Sequence, residues 1–394
     1  MKKRPTEFSA YVDSAAWQRF RFGRSIRLAA VLVIGSLLLP AVSFAQSLRE
    51  EAQKLGILVG AAVDPSLFSQ PDYAATLARQ FSMVEPENVM KWSTIEPARG
   101  QFNFGPGDEV VAFAEAHHMK VRGHNLLWDV YNPAWLAQGH FTPQQLREIM
   151  KNHITAEVRH YRGKVFAWDV VNEAIDSQGG MKHSIWYDKP GIGMAGQGTA
   201  YVAQAFRWAH AADPDALLFY NDYDAEGLNA KSNAIYKMVK DFKRRGVPIN
   251  GVGLQMHLMN LKVPASIAAN ISRLTALGLE VHITEMDVAL PIDAQGKVAN
   301  SADLGKQAQI YRKIATICAQ HPACTAFQTW GFTDKYSWIP HFTHEKKGDA
   351  LLFDANYKPK PDYRAVLGAF RKAGRENPGI VKQRLQIERR LRGR

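Results

Sequence analysis

Apolar runs bounded by turn-forming residues recur along the chain and predict strands. The eight runs lie at 56–63, 81–88, 120–128, 164–173, 216–223, 251–257, 279–288 and 324–332. The segments between them have helical periodicity or helix-forming composition, as at 142–161 and 302–320. Strand alternating with helix eight times predicts an α/β fold, a (β/α)8 TIM barrel. An open doubly wound sheet would instead need a glycine-rich phosphate turn after the first strand, where the chain reads AAVDPSLF.

The first 45 residues have the pattern of a signal peptide. A basic stretch ending at Arg27 precedes about fifteen apolar residues, and the small residues Ser43 and Ala45 follow. A membrane span needs roughly twenty apolar residues, so an uncleaved anchor is the weaker alternative. We expect cleavage near Ala45, a secreted or periplasmic protein without a stable membrane span in the mature chain, and one catalytic domain over 46–371.

The formal charge of +12 is concentrated at the two ends of the chain. Residues 1–27 carry +5 and residues 371–394 carry +7, so the body between them is neutral. A neutral body argues against a nucleic-acid partner. The basic tail, 372–394, could form a short helix that contacts an acidic polysaccharide or a membrane surface, or a solvated extension.

Two glutamates close apolar runs: Glu173 in KVFAWDVVNEA and Glu285 in LEVHITEMDV. Both should project from the carboxyl ends of strands, where α/β barrels build their active sites. One carboxyl group can protonate the leaving oxygen of a glycosidic bond while the other attacks or activates water. The alternative for each glutamate is a solvated turn residue. As a pair, they predict glycoside hydrolysis.

Polar and aromatic residues gather at the other strand ends as well. Amide, imidazole and ammonium groups can bind sugar hydroxyls, and tryptophan faces can stack on pyranose rings, although each tryptophan could also be packing. The candidate residues are Glu87, Asn88, Lys91, His124, Trp128, Asn172, Asn221, Asp222, Gln255, His257, Asp287, Trp330 and Trp338.

The spacing around the two glutamates suggests different protonation states. Glu285 and Asp287 share one face of a strand, and His257 on the preceding strand could hydrogen-bond Glu285 while Asp287 orients it, which would keep Glu285 ionised. Glu173 has no neighbouring cation in the sequence, so we expect it to be protonated when the substrate arrives. For Asn172 and Glu173 to face the substrate together, their strand must end or bulge there.

The only cysteines, Cys318 and Cys324, lie close together. In an exported protein such a pair predicts a disulfide, with reduced core thiols as the alternative. Their spacing is not that of a metal site.

Taken together, the motifs resemble glycoside hydrolase family 10, the endo-β-1,4-xylanases. The matching stretches, in order from about residue 56 to 370, are ENVMKWSTIEPARGQFNF, GHNLLW, WDVVNEA, YNDY, GLQMH, ITEMDV and TWGFTDKYSW. The resemblance implies a (β/α)8 barrel that hydrolyses xylan and xylo-oligosaccharides with retention of configuration, without metal or cofactor. It also implies the Cys318–Cys324 disulfide.

The same resemblance assigns roles by position. It makes Glu173 the acid/base and Glu285 the nucleophile, with Asn172, Gln255 and His257 holding the sugar and the nucleophile. It places Glu87, Asn88, Lys91, His124 and Trp128 on the non-reducing side, covered by Trp330 and Trp338. One departure is Asp129, where the family usually has histidine, which puts local hydrogen bonding and the pH optimum in question.

Three functions compete with an exported, monomeric endo-xylanase. A related retaining barrel could act on another β-glucan, and comparing sugar release from xylan and soluble cellulose separates the two. A carbohydrate-binding barrel without activity would have no use for a pair of carboxyl groups with opposed protonation needs. A basic nucleic-acid- or envelope-binding protein is disfavoured by the neutral body.

Overall fold

The computed structural model describes residues 47–391 of the chain. The predicted signal segment and its cleavage site lie outside the described residues, as do residues 392–394 of the basic tail.

Eight parallel strands form the barrel. They are β1 (Leu58–Val63), β2 (Met83–Pro86), β3 (Lys120–His124), β4 (Val165–Asn172), β5 (Leu217–Asp222), β6 (Gly251–Leu254), β7 (Glu280–Val288) and β8 (Cys324–Thr329). Each strand pairs with the next in parallel, and β8 also pairs with β1, where Ala326 lies opposite Leu58. The sheet therefore closes, and the predicted (β/α)8 TIM barrel is confirmed.

Helices of very different length connect the strands. They are α1 (Leu48–Gln53), α2 (Pro71–Gln80), α3 (Trp92–Ile95), α4 (Gly105–Ala116), α5 (Ala134–Ala137), α6 (Pro143–His160), α7 (Ala200–Ala212), α8 (Ala230–Arg244), α9 (Ile267–Thr275), α10 (Ala302–Gln320), α11 (Ile339–Phe342), α12 (Pro361–Glu376) and α13 (Ile380–Leu391). Local sequence sets several starts: Thr142 and Gln145 form a capping box at α6, and Asn229 and Ser232 form one at α8. Among the helices of residues 47–391, none is both long and apolar enough to cross a bilayer.

The barrel interior holds a buried charged layer below its carboxyl end. Arg122 on β3 donates to Asp169 on β4 from Nε at 3.0 Å and also from Nη2, and its Nη1 lies 2.8 Å from His282 Nδ1 on β7. All three side chains are fully buried. A guanidinium that pairs with a carboxylate and an imidazole satisfies polar groups that would be costly if left unpaired.

The basic tail is helical over most of its described length and packs on the amino end of the barrel. Ile380 of α13 is fully buried and Arg384 is 2% exposed. Arg384 donates from Nη1 to the carbonyl of Leu55 at 2.6 Å, and from Nη2 to those of Cys318, Ala319 and His321 at 3.0 to 3.1 Å. Residues 380–391 are therefore part of the folded barrel unit and not a solvated extension.

The same region contains the cysteine pair. Cys318 near the end of α10 and Cys324 at the start of β8 are joined by a disulfide, so the prediction is confirmed. The carbonyls that Arg384 Nη2 binds lie within the loop that this disulfide closes.

Candidate active site

Glu173 occupies an unusual backbone position just beyond β4. The strand ends at Asn172, and Glu173 has φ +57°. This value lies in the left-handed region, which residues other than glycine seldom adopt. Its amide donates to Asn221 O at 2.9 Å, which fixes this turn against β5. The left-handed residue lets both Asn172 and Glu173 face the cleft, as the sequence argument required. Strain of this kind is common at functional sites.

The carboxyl group of Glu173 is surrounded by donors. Its Oε1 accepts from Gln255 Nε2 at 3.1 Å and Asn172 Nδ2 at 3.3 Å. Its Oε2 accepts from Trp128 Nε1 at 3.2 Å and Lys182 Nζ at 3.3 Å. No basic residue neighbours Glu173 in the sequence, but the fold brings Lys182, nine residues later, into an ion pair with it.

Glu285 lies near the end of β7 and is held by neutral and charged donors. Asn221 Nδ2 donates to Oε1 at 2.7 Å, and His257 Nε2 lies 3.0 Å from Oε2. His257 Nδ1 is 2.9 Å from Asp287 Oδ2, so the histidine bridges the two carboxylates as the spacing predicted. Trp338 Nε1 donates to the same Asp287 oxygen at 2.9 Å.

Electrostatics keep Glu285 ionised. Burial alone would raise its pKa, but the hydrogen bond from His257, together with the charge of His124 and the Asn221 amide, outweighs burial and leaves the pKa below its usual value. Burial acts to lower the pKa of His257, yet Asp287 and Glu285 hold it well above the usual range. His257 is therefore an imidazolium between two carboxylates at neutral pH.

A network of amides connects the two glutamates. Asn172 Oδ1 accepts from Asn221 Nδ2 at 2.9 Å and from Gln255 Nε2 at 3.2 Å. Asn221 also donates to Glu285 and Gln255 to Glu173. Gly253 on β6 makes room for this network, because a Cβ there would lie 2.1 Å from Asn221 Oδ1. The two carboxyl groups therefore belong to one site.

One wall of the site is a cation surrounded by aromatic rings. Lys91 Nζ lies 4.2 Å from the ring centroid of Tyr131, 5.0 Å from that of Trp128 and 5.7 Å from that of Trp330. It also donates to Asn88 Oδ1 at 2.9 Å. Burial lowers the pKa of Lys91, partly offset by Glu285 and Glu87. Such a wall offers flat apolar faces beside a hydrogen-bond donor.

The remaining predicted residues lie on the same side. Glu87 follows β2 and is half-buried. Burial raises its pKa, although the charge of Lys91 acts to lower it. His124, at the end of β3, is buried with its ring centroid 5.3 Å from that of Trp330 and its Nδ1 3.0 Å from Asp169 Oδ2. The charge of His124 also helps to lower the pKa of the Glu285 carboxyl group.

Glu85, His124 and Asp169 are the described residues whose ligand atoms come close enough to suggest a metal site, with those atoms within 4.8 Å of one another. Arg122 already pairs with Asp169 and lies 3.5 Å from Glu85 Oε2. Burial, with Asp169 beside it, raises the pKa of Glu85 well above its usual value, while Arg122 helps hold that of Asp169 low against burial. A guanidinium thus supplies the positive charge that a metal ion would bring.

Asp129 lies in the turn Asp129–Tyr131 directly after Trp128. Its Oδ1 accepts from Asn132 Nδ2 at 2.9 Å, and burial raises its pKa. It shares a cavity of about 180 Å³ with Trp128, Glu173 and Lys182. The aspartate that stands where the family usually has histidine therefore lines the same cavity as Glu173, the proposed acid/base.

A larger cavity of about 350 Å³ lies at the amino end of the strands, beneath α13, between Arg384, Glu280 and His282. Its residues include neither member of the glutamate pair. The smaller cavity beside Glu173 is the one at the candidate site.

Sequence reasoning missed four residues of this site. Tyr131 completes the wall around Lys91, Lys182 pairs with Glu173, Tyr223 lies under the ammonium groups of Lys182 and Lys231 at 4.8 and 3.4 Å, and Asp169 orients His124. Asp169 had a local signal as a charged residue within the apolar run of β4, and Tyr223 had one as the last residue of the YNDY motif. The others lie on loops, where composition is polar in most proteins.

Comparison with known proteins shows the family of this chain. The model of the family "Glycosyl hydrolase family 10" matches residues 47–369. Endo-1,4-beta-xylanase B of Thermotoga neapolitana is 44% identical over 323 residues, which cover 81% of this chain and 90% of that protein.

Solved structures give the same result. Native xylanase 10B from Thermotoga maritima superposes with a TM-score of 0.78 at 43% identity, covering 84% of this chain and 99% of that one. Xylanase 10B from Thermotoga petrophila RKU-1 in complex with xylobiose has a TM-score of 0.77 at 44% identity, with coverage of 83% and 97%.

Proposed function

The chain belongs to glycosyl hydrolase family 10, and we propose that it is an endo-1,4-β-xylanase in which Glu173 is the acid/base and Glu285 the nucleophile. Enzymes of this family retain anomeric configuration, so hydrolysis proceeds by two successive displacements.

In the first displacement, the Glu285 carboxylate attacks the anomeric carbon as Glu173 gives a proton to the departing glycosidic oxygen. The product is a covalent glycosyl-enzyme and a shortened xylan chain. In the second, Glu173 takes a proton from water, which attacks the same carbon and releases the sugar with its original configuration.

The observation that carries the proposal is the opposed environment of the two carboxyl groups within one hydrogen-bond network. Glu285 is 5% exposed and lies against the imidazolium of His257, which suits a nucleophile that must stay ionised. Glu173 is 13% exposed and so is more accessible than Glu285. Its carboxyl group accepts hydrogen bonds from neutral groups and from one lysine. It can therefore exchange protons with an entering substrate or water.

Neighbouring groups support xylan as the substrate. We propose that Asn172, Gln255 and His257 bind the sugar at the point of cleavage, and that Trp330 and Trp338 cover the non-reducing side of the cleft. The Lys91 wall, with Glu87, Asn88, His124 and Trp128, would contact sugars on the non-reducing side. Asp287 and Asn221 would position His257 and Glu285. The structure of Thermotoga petrophila xylanase 10B contains xylobiose, which is consistent with this substrate class.

Proton NMR of the first sugar released from a β-linked xylo-oligosaccharide tests the mechanism. We expect the β-anomer to form first, followed by mutarotation. Initial α-anomer would overturn the nucleophilic role of Glu285. Faster release of sugar from soluble cellulose than from xylan would overturn the assignment of xylan as the substrate.

We also propose that the protein is exported, cleaved after Ala45, and monomeric, with its catalytic unit beginning at residue 46. The support is the basic, apolar and small-residue order of residues 1–45. Amino-terminal sequencing of the exported protein tests the cleavage site. Its mass in solution, measured by light scattering, tests whether it is a monomer.

A further inference from the structure

The helix α13 turns one side to the barrel and the other to solvent. Ile380 and Arg384 are buried, and Ile387 and Leu391, which continue the same helical repeat, are partly buried. Leu391 packs against a small apolar cluster formed by β4 and β5. The barrel therefore covers the apolar side of this helix.

The outer side of α13 is basic. Lys382, Arg389 and Arg390 are exposed there. Residues 380–391 carry a net charge of +3, which includes one glutamate. Because Arg384 binds four carbonyls of the barrel, the exposed charges are held in a fixed place at its amino end.

The fold places a second basic segment beside the end of α13. The last turns of α8 and the residue after it, 237–245, carry a net charge of +4. Arg390 Nη2 lies 4.0 Å from the position that a Cβ on Gly278 would take, in the turn before β7. Burial and the like charge of Arg390 both lower the pKa of Lys243, so these two cations are neighbours. Two basic segments far apart in the sequence therefore meet at the amino end of the barrel.

This meeting of like charges suits an anionic partner. Arg244 and Arg245 both donate to Asp241, at 2.6 and 3.0 Å, whereas the charged neighbour that acts on Lys243 is Arg390. An anion that contacts both segments would relieve their repulsion, and guanidinium groups match the geometry of carboxylates. We call the exposed cations the amino-end basic surface, which consists of Lys243, Lys382, Arg389 and Arg390.

A polysaccharide suits this surface better than a membrane does. A helix that lies on a bilayer inserts an apolar side among the lipids. In α13 that side packs on the barrel, and among its described residues Leu385, at 47% exposed, is the large apolar side chain left in solvent. The proposed substrate is itself a polysaccharide, and uronic acids give such polymers carboxylate groups.

We propose that the amino-end basic surface is a second binding site, which holds a polysaccharide that carries uronate carboxylates. The catalytic cleft lies at the opposite end of the strands, so the segment held here is not the segment being cleaved. The surface keeps the enzyme on the polymer and raises the local concentration of chains for the cleft. The inference rests on the proposed function only for the class of polymer.

Binding to immobilised polygalacturonate tests the proposal, because this polymer has a carboxylate on each sugar and contains no xylose. The Arg389→Glu/Arg390→Glu variant should bind roughly tenfold more weakly than the wild type, since both substitutions reverse a charge. Wild-type binding should fall between about 0.01 and 0.15 M salt, as the screening length falls from about 30 Å to about 8 Å. The fully methyl-esterified polymer, which lacks the charges, should bind neither protein.

Arg312→Glu/Lys313→Glu is the matched control. These residues are also adjacent and exposed, but they lie in the middle of α10, and the change in net charge is the same. This variant should bind polygalacturonate nearly as tightly as the wild type. An equal loss in both double variants would mean that overall charge alone causes binding, which would overturn the proposal.

Anionic vesicles test the alternative partner. Vesicles of phosphatidylglycerol and phosphatidylcholine should bind the wild type more weakly than polygalacturonate does. Tighter binding to the vesicles, lost in Arg389→Glu/Arg390→Glu, would assign the surface to a membrane and overturn the proposal. Thermal unfolding verifies that each variant is folded.

Turnover of xylotetraose separates this surface from the proposed function. It should be the same in Arg389→Glu/Arg390→Glu as in the wild type, because the surface and the cleft lie at opposite ends of the barrel. A wild type that cleaves xylotetraose but does not bind polygalacturonate would reject the surface alone. Binding of polygalacturonate without cleavage of xylotetraose would reject the proposed function and support the surface.

Discussion

At the carboxyl end of the strands, Glu173, Glu285 and Asp287 lie within one network of donors, and Glu173 adopts a left-handed backbone. At the amino end, Arg384 of α13 binds four backbone carbonyls and a disulfide closes the neighbouring loop. The first end combines paired charges with a strained backbone residue at Glu173, whereas the second satisfies backbone carbonyls that would otherwise be unpaired.

Function and stability are therefore divided between the two ends of one barrel. Substitutions at the carboxyl end should change rate and pH dependence more than stability. Substitutions at the amino end should do the opposite, since no proposed active-site residue lies there.

The largest effect should come from Glu285→Ala, because no covalent intermediate can form without the nucleophile. We expect kcat to fall by a factor on the order of 10⁴ or more on every substrate. Steady-state kinetics on xylan and on an aryl xylobioside measure it, with thermal unfolding as the control. Substantial activity on either substrate would show that another group attacks the anomeric carbon.

Glu173→Ala should be severe on xylan but mild for the first displacement of a dinitrophenyl xylobioside, which needs little protonation. The glycosyl-enzyme should then accumulate, and azide should restore turnover by attacking it without base assistance. Burst kinetics with and without azide measure this. Equal losses on both substrates, unaffected by azide, would contradict the division of roles.

His257→Gln should move the acidic limb of kcat/KM to higher pH by about one unit. The hydrogen bond from His257 helps to lower the pKa of Glu285, so its loss raises that pKa and the carboxylate protonates at higher pH. The pH–rate profile measures it. An acidic limb that stays in place would mean that His257 contributes nothing to the charge state of the nucleophile.

At the other end, Arg384→Ala should lower the free energy of unfolding by about 2–4 kcal/mol, because four carbonyls lose a buried donor. Activity at room temperature should be nearly unchanged. Thermal unfolding measures it, with Arg389→Ala as the control because Arg389 is exposed on the same helix. If both variants melted alike, α13 would not stabilise the barrel through Arg384.

Replacing both cysteines by serine should have the smallest effect. The disulfide closes a loop of about seven residues, which in the chain-entropy model contributes only about 2 kcal/mol. Unfolding with and without reductant measures it in the wild type. A stability loss larger than that of Arg384→Ala would reverse the order proposed for this end.

Much of the candidate site could be predicted locally. Glu173 and Glu285 each end an apolar run, and the two-residue spacing of Glu285 and Asp287 places both on one face of β7, within reach of His257 on the preceding segment. Parallel strands in register bring such groups together whenever the barrel closes. The amide network and the left-handed turn at Glu173 needed the register of β4, β5 and β6.

The sequence was enough to predict the strands and the two glutamates, because each of these depends on an apolar run within one segment. The barrel followed from the eightfold succession of strand and helix. The pairing of Lys182 with Glu173 and the burial of Arg384 at the amino end became apparent from the three-dimensional structure. Both are basic residues with unremarkable neighbours, and their partners lie on other segments: a strand end for Lys182, and α10 with the chain before β1 for Arg384. Charge in a sequence does not reveal its partner, since that depends on which distant segments the fold brings together.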